Sequence, residues 1–232
     1  RALNSYDPGS TWKPITAIAG METGKFPASR KLNTVPCITY GSHCFPEYNK
    51  RGFGLIGYED AFRVSSNTFF YQVGVGVGSE ALYNAAIKLG FDNYTGIETF
   101  NDENKGLVGN KMWADQGRGW AKPGETPWIV EDMASAAIGQ SVIQVTPLQL
   151  ARAYAVFANG GYLITPHLVD ANRNWRSEKY LQKVDIQKTT FDTIRRGLRK
   201  VVTSGTGIAI NQKTPILPPV AGKTGTAEDS SG

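Results

Sequence analysis

A serine and a lysine near the start of the chain have the spacing of a nucleophile and its base. Ser10 and Lys13 follow the turn residues 6–9 and open a predicted helix that reaches about Glu22. Side chains three positions apart share one face of a helix, so Lys13 comes up beside Ser10. A serine hydroxyl attacks when a base takes its proton, and a lysine does so only in its neutral form. The spacing alone also fits an ordinary N-terminal helix serine with an exposed lysine.

A second polar cluster, Ser-Ser-Asn at residues 65–67, interrupts a helix predicted over residues 58–72. In an active site, Ser65 would pass a proton between Lys13 and a leaving group. Asn67 would hydrogen-bond a substrate amide. The same residues also suit a simple helix break, where they cap the chain ends.

A third cluster, Lys-Thr-Gly-Thr, closes a predicted exposed strand from Val220 to Thr226. A substrate peptide can pair with the edge of such a strand, and Gly225 lets another backbone come close. Lys223 and the hydroxyls of Thr224 and Thr226 suit a terminal carboxylate.

The three clusters predict a working site only if folding brings them together. Burial and a nearby cation both lower the pKa of a lysine, and Lys223 is a candidate cation for Lys13. The backbone N–H groups of Ser10 and Thr226 are candidates for an oxyanion hole around a tetrahedral intermediate.

The composition is that of a globular protein with a buried core. Of 232 residues, 41% are hydrophobic and 19% charged, which excludes a disordered tail, a fibre and a coiled coil. Lys and Arg number 25 against 20 Asp and Glu, a net charge of +5. This mild excess is spread along the chain without interleaved aromatic residues, so it does not predict nucleic-acid binding. No apolar run approaches the roughly 18 residues that span a bilayer.

The remaining patterns predict a mostly helical chain with little strand. Residues 25–58 are predicted as loops with small strands, and residues 92–130 as a long connecting surface. Ser79 and Thr146 are predicted N-caps, and Pro147 takes the first helical position, where no N–H is needed. The further helices are predicted over about Ser79 to Gly90, Thr146 to Asn159 and about Thr190 to Thr203.

Two cysteines, Cys37 and Cys44, lie seven positions apart in a loop-like stretch. Three interpretations remain open. A disulfide would suit an oxidising compartment. A metal site would need about four ligands, of which only His43 is an obvious third. The two thiols could also be unrelated.

The combination Ser-x-x-Lys, Ser-x-Asn and Lys-Thr-Gly is the signature of class A β-lactamases and penicillin-binding proteins. Any one of these patterns arises easily by chance, whereas all three in this order do not. Further blocks resemble a class B penicillin-binding protein, and the Tyr-Gln after Phe70 favours the elongation type. These blocks are residues 6–14, 65–70, 94–98, 138–140, 145–151, 158–161 and 222–227.

The resemblance implies an α/β (α+β) fold, in which a helical subdomain lies beside an antiparallel sheet. It also implies a peptidoglycan D,D-transpeptidase that works without a cofactor or a metal. Ser10 would attack the penultimate D-Ala carbonyl of a stem peptide, release the terminal D-Ala, and pass the acyl group to an amine of a neighbouring stem. The implied catalytic residues are Ser10, Lys13 and Ser65; the implied substrate-binding residues are Asn67, Lys223, Thr224, Gly225 and Thr226.

The same resemblance implies partners and a location. β-Lactams would acylate the nucleophilic serine, and a membrane glycosyltransferase of the elongation or division complex would be a partner. The catalytic domain would lie on the periplasmic or extracytoplasmic side of a bacterial membrane, with an anchor outside this chain.

The chain departs from the family pattern at two points. Ser141 stands where the family usually has Gly. Only nine residues precede Ser10 and seven follow Gly225, whereas the family has further strands on both sides. We therefore expect residues 1–232 to be the central part of one transpeptidase domain, mostly helical and without flanking sheet strands.

Two other functions compete with the transpeptidase. A serine β-lactamase or β-lactam sensor shares the three patterns, but a class A β-lactamase needs a carboxylate that activates the deacylating water. The candidates Glu98, Glu103, Glu125 and Glu131 do not lie in the context of such a base. A non-catalytic scaffold of the cell-wall machinery is disfavoured by the intact Ser10, Lys13 and Lys223.

Overall fold

Helices dominate the computed structural model, which describes residues 1–98, 102–168, 180–212 and 219–226. A 3₁₀ turn, Gly9–Trp12, leads into the first helix. The helices are α1 Lys13–Glu22, α2 Tyr58–Arg63, α3 Asn67–Val77, α4 Ser79–Lys88, α5 Lys111–Asp115, α6 Val130–Ala137, α7 Pro147–Ala158, α8 Lys188–Ser204 and α9 Ile208–Gln212. The strands are β1 Lys31–Thr34, β2 Cys37–Tyr40, β3 His43–Pro46, β4 Gly54–Gly57, β5 Leu107–Val108, β6 Ile143–Gln144, β7 Tyr162–Ile164 and β8 Leu181–Lys183.

The described strands form four antiparallel pairs, β1 with β4, β2 with β3, β5 with β6 and β7 with β8. This arrangement of helices and small antiparallel sheets confirms the predicted fold class. Across the described ranges, no helix combines the length and the apolar character needed to cross a membrane.

Helix α1 is the centre of the core. Every residue from Lys13 to Met21 is buried, and the helix contacts α3, α4 and α8. A helix that is covered on all sides carries its polar side chains inward as well. The position of Lys13 at the start of α1 therefore places a lysine inside the protein.

Local capping chemistry predicts α7 well. Thr146 accepts a hydrogen bond from the Gln149 N–H at 3.1 Å, and the Gln149 side chain accepts one from the Thr146 N–H at 2.8 Å. This reciprocal pair is a capping box, and Pro147 occupies the first turn as predicted. The predicted N-cap Ser79 is wrong, because Gly78 with φ of +88° precedes the helix and Ser79 is its first residue.

The predicted strand from Val220 to Thr226 does not form. Its backbone is bonded to a helix: the Gly222 N–H donates to the Leu198 carbonyl at 3.2 Å, and the Arg199 guanidinium donates to the Val220 carbonyl at 2.6 Å. No strand pairs with this segment within the described residues. The segment therefore lies along α8.

The two cysteines form a disulfide across the β2–β3 hairpin, with their Cα atoms 5.8 Å apart. This separation is typical of disulfides. The first of the three interpretations is therefore correct. No group of three or more side chains suited to a metal ion comes together in the described part of the chain.

Candidate active site

One cavity of about 490 Å³ brings the three polar clusters together. Its lining residues are Ser10, Tyr48, Ser65, Asn67, Ile138, Gln140, Thr206, Thr224 and Thr226. Residues from the first, second and third clusters thus meet in space although they are far apart in the chain.

Ser10 is displayed on the 3₁₀ turn that precedes α1. The Gly9 N–H donates to the Gly139 carbonyl at 2.8 Å, and the Tyr154 hydroxyl donates to the Thr11 carbonyl at 2.8 Å. A Cβ on Gly139 would lie 2.5 Å from the Trp12 Cβ, and Gly139 has φ of +74°. Only glycine fits this close approach, so Gly139 supports the turn that carries Ser10.

Lys13 is fully buried, and its amine reaches the second cluster. The Nζ atom donates to the Ser65 carbonyl at 2.7 Å, to the Ser65 Oγ at 3.2 Å and to the Asn67 Oδ1 at 2.8 Å. Three acceptors thus surround the amine. An ammonium has a donor for each of them, whereas a neutral amine has two N–H donors and a lone pair. The hydrogen bonds described for the Lys13 amine thus run to Ser65 and Asn67 and not to Ser10. The contact with Ser65 is the one that the predicted proton path uses, and the role of Lys13 as the base for Ser10 stays a prediction.

Ser65 lies in the turn between α2 and α3 and has φ of +56°. This left-handed conformation is unusual for a residue with a side chain, and such strain concentrates at functional sites. The conformation lets both the carbonyl and the hydroxyl of Ser65 face Lys13. The same hydroxyl accepts a hydrogen bond from Lys223 Nζ at 2.8 Å. Ser65 therefore bridges the two lysines.

Both lysines have a pKa below the usual value for a lysine. Burial lowers the pKa of Lys223 to about 7. Burial is also the largest influence on Lys13, followed by the charge of Lys223, and together they hold the pKa of Lys13 well below its usual range. The carboxylate of Glu47 acts in the opposite direction. A lowered pKa favours the neutral form of Lys13, and its role as a base stays a prediction.

The third cluster packs directly on the turn that carries the nucleophile. A Cβ on Gly225 would lie 2.8 Å from the Thr11 Cγ2, so glycine permits the contact. The Thr224 and Thr206 hydroxyl oxygens are 2.7 Å apart. Of the five predicted substrate-binding residues, Asn67, Thr224 and Thr226 line the cavity with Ser10, whereas Lys223 and Gly225 are not among its lining residues. Their role in binding stays a prediction.

Sequence reasoning missed Glu47 and four residues that line the cavity, Tyr48, Ile138, Gln140 and Thr206. Gln140 belongs to a block that resembles the family, so a signal was present without an assigned role. Glu47 is a single acidic residue in a loop. Nothing in the local pattern distinguishes it.

The four glutamates considered as β-lactamase bases have other partners. Glu103 accepts from the Thr95 N–H at 2.8 Å, Glu125 accepts from the Lys122 N–H at 3.1 Å, Glu98 accepts from the Leu168 N–H at 3.0 Å, and Glu131 lies 3.7 Å from His43. None of the four lines the cavity. The described site thus holds no such glutamate where a deacylating water would sit.

The sequence profile of the penicillin binding protein transpeptidase domain matches residues 2–231. The chain belongs to this family. The transpeptidase domain is 30% identical to the peptidoglycan D,D-transpeptidase MrdA of Acinetobacter baumannii over 97% of this chain and 33% of that protein. The predicted family is confirmed.

Solved structures give the same result. The transpeptidase domain superposes with a TM-score of 0.85 on a penicillin-binding protein, PBP2, from Helicobacter pylori in a complex with MreC; the identity is 27%, over 98% of this chain and 41% of that one. A second structure, of a peptidoglycan synthase complex that coordinates polymerization and crosslinking, gives 0.84 at 30% identity over all of this chain and 38% of that one. The chain spans about a third of the length of the curated relatives that it matches.

Proposed function

We propose that the transpeptidase domain is the acyl-transfer unit of an elongation-type peptidoglycan D,D-transpeptidase. The observation that supports this most directly is the Ser65 hydroxyl, which receives hydrogen bonds from both Lys13 and Lys223 beside the cavity that Ser10 lines. Two amines with lowered pKa around one hydroxyl form a path for protons, which a serine acyl transfer needs at each step.

In the acylation step, neutral Lys13 takes the proton of Ser10 as the serine oxygen bonds to the penultimate D-Ala carbonyl carbon. The carbon–nitrogen bond then breaks, and the proton passes from Lys13 through the Ser65 hydroxyl to the departing D-Ala amine. In the second step an amine of a neighbouring stem attacks the ester. Its proton travels back to the Ser10 oxygen as the ester bond breaks.

The walls of the cavity fit the two ends of such a substrate. Lys223 and the paired hydroxyls of Thr224 and Thr206 suit the terminal carboxylate. The Asn67 Oδ1 accepts a hydrogen bond from Lys13. Its amide N–H groups are therefore the part of the side chain that suits a substrate carbonyl. Ser10 and Thr226 line the same cavity, which supports their backbone N–H groups as the proposed oxyanion hole.

The relatives support a proposal on partners and location. The H. pylori protein named above is described in complex with MreC, and the second structure belongs to a synthase that also polymerises. For the protein that contains this chain, we propose a membrane glycosyltransferase as partner, β-lactams as inhibitors and an extracytoplasmic position. The Cys37–Cys44 disulfide supports that position, since disulfides persist in oxidising compartments.

Mass spectrometry after penicillin treatment tests the proposal. The full-length protein should gain one penicilloyl group on the peptide that contains Ser10, and the adduct should persist. Ser10→Ala should abolish labelling, whereas Ser79→Ala, a serine outside the cavity, should label normally. Labelling of the Ser10→Ala protein would refute the nucleophile, and steady turnover of a chromogenic cephalosporin would indicate a β-lactamase instead.

A further inference from the structure

Glu47 is a fully buried carboxylate just after β3. Its Oε2 accepts from the Ser66 hydroxyl at 2.5 Å, from the Thr68 hydroxyl at 2.9 Å and from the Thr68 N–H at 3.1 Å. Its Oε1 accepts from the Asn67 N–H at 2.6 Å and from the Tyr48 N–H at 3.2 Å. An ionised carboxylate acts only as an acceptor, and all five contacts use it in that way.

These contacts complete the N-terminus of α3. The first N–H groups of a helix have no partner within the helix. The N-cap Ser66 satisfies one of them, the Phe69 N–H at 3.2 Å. Glu47 accepts from the N–H groups of Asn67 and Thr68, and its charge complements the positive end of the helix dipole. Side chains from two distant segments therefore share the capping of α3.

Glu47 itself is held by the β2–β3 hairpin. Its N–H donates to the Pro36 carbonyl at 2.9 Å, at the base of the hairpin that the Cys37–Cys44 disulfide closes. Glu47 is thus held through both its backbone and its side chain. It connects a cross-linked hairpin to the turn that bears Ser65.

We propose that Glu47 is a positioning residue for acyl transfer, which holds the turn 65–67 so that Ser65 stays between Lys13 and Lys223. This inference rests on the proposed function and adds to it a residue that does not line the cavity. Two of the direct partners of Glu47, Ser66 and Asn67, belong to this turn, and Asn67 in turn accepts from the Lys13 amine.

The charge of Glu47 gives the proposal a signature that a purely structural role lacks. The charged groups that act on Lys13 are Lys223 and Glu47, and Glu47 is the one that raises the pKa of Lys13. Removal of the negative charge lowers that pKa further. The neutral form of Lys13 then exists at lower pH, so the acid limb of the acylation profile moves to lower pH.

The experiment compares variants of the full-length protein by the rate of labelling with a fluorescent penicillin across pH. Glu47→Gln should slow labelling by about 10- to 100-fold, because small displacements of a reacting group cost that much, and should shift the acid limb to lower pH. Glu47→Asp keeps the charge but shortens the reach, so it should slow labelling and leave the limb in place. Glu103→Gln is the matched control, since Glu103 also accepts from a backbone N–H, but from that of Thr95 and not from the turn 65–67.

A Glu47→Gln protein with the native rate and an unmoved acid limb would overturn the proposal. If that variant does not fold, Thr68→Val removes a single hydrogen bond to Glu47 and should still slow labelling; an unchanged rate would count against the proposal. Failure of the proposed function is separate, because the unmodified protein would then not label on Ser10 at all.

Discussion

At the scale of single residues, the site is a pair of amines that share one hydroxyl. Lys13 and Lys223 both donate to the Ser65 Oγ, at 3.2 and 2.8 Å. Two like charges this close disfavour each other, so the pair releases a proton more readily than an isolated lysine does. The site is therefore ready to hold one cation and one base near neutral pH.

The pH dependence of acylation should reflect this division. Neutral Lys13 is required on the acid side, and protonated Lys223 is required to bind the carboxylate. The rate should therefore fall as pH rises through about 7, the pKa of Lys223. In Lys223→Arg the guanidinium stays protonated, so the alkaline limb should move to higher pH when labelling is followed across pH. The surface variant Lys188→Arg serves as the control, and a limb that remains near neutrality in Lys223→Arg would contradict the assignment.

Ser141 carries backbone strain that can be relieved. It is not a glycine, yet its φ is +61°. Ser141→Gly should raise the free energy of unfolding by about 0.5–1 kcal/mol, because glycine adopts this conformation freely and the strain exceeds the added entropy of the unfolded chain. Denaturant unfolding measures the change. Ser141→Ala keeps the Cβ and should give no gain; an equal gain would point to the hydroxyl instead.

The site residues that belong to the three short sequence patterns could be identified from the sequence. Ser10, Lys13, Ser65 and the Lys-Thr-Gly segment were all identified from the sequence. In the structure Ser10, Ser65 and Thr224 line one cavity, and Lys13 and Lys223 reach it through the Ser65 hydroxyl. Their catalytic and binding roles stay predictions. Glu47 was not predictable, because its role exists only when α3 begins beside the end of β3.

At the scale of elements, α8 connects the second and third clusters. A Cβ on Gly197 of α8 would lie 2.4 Å from the Phe62 Cδ2 of α2, so the two helices approach closely there. Beyond the end of α8, the Thr206 N–H donates to the Arg63 carbonyl at 3.1 Å. The helix that carries residues 219–226 thus also supports the helix that leads to Ser65.

Gly197→Ala tests this packing. Alanine normally favours a helix over glycine, but here the added methyl group meets the buried Phe62. We expect a loss of about 1–3 kcal/mol in the free energy of unfolding, the range for overpacked cores. Arg195→Ala on the exposed face of α8 should change stability by less than about 0.5 kcal/mol. A stabilised Gly197→Ala protein would contradict the packing argument.

The elements that were predicted well depend on local chemistry, and those predicted poorly depend on distant partners. The start of α7 follows from its own capping residues. The predicted strand at Val220 was wrong because the backbone bonds to Leu198 and Arg199 of α8, which no local pattern contains. Helix α3 continues to Val77, beyond the predicted end at Gln72, because its apolar face packs on the core.

At the scale of the whole molecule, we expect the disulfide to affect both stability and activity. Cys37→Ser with Cys44→Ser should cost about 2 kcal/mol by loop entropy and should also slow penicillin labelling, because the hairpin fixes Glu47. Calorimetry and labelling of the full-length protein measure the two effects. Unchanged labelling in the folded double variant would separate the hairpin from the site.

That residues 1–232 are the central part of one transpeptidase domain stays a prediction. The family match covers nearly the whole chain, while the relatives are about three times as long. The internal pattern of motifs identified the family because those motifs are spread from Ser10 to Thr226. Activity of the complete protein is therefore tested on the full-length chain.

The bond from the Gly222 amide to the Leu198 carbonyl makes a natural reporter. That amide proton is protected from exchange only while residues 219–226 lie on α8. Its exchange rate in deuterated solvent therefore measures how often the segment separates from the helix. In the acylated protein the penicilloyl group should contact Lys223 and Thr224 and hold the segment on α8. The Gly222 amide proton should therefore exchange more slowly than in the free protein. Identical exchange in both states would mean that the segment is already fixed before any antibiotic arrives.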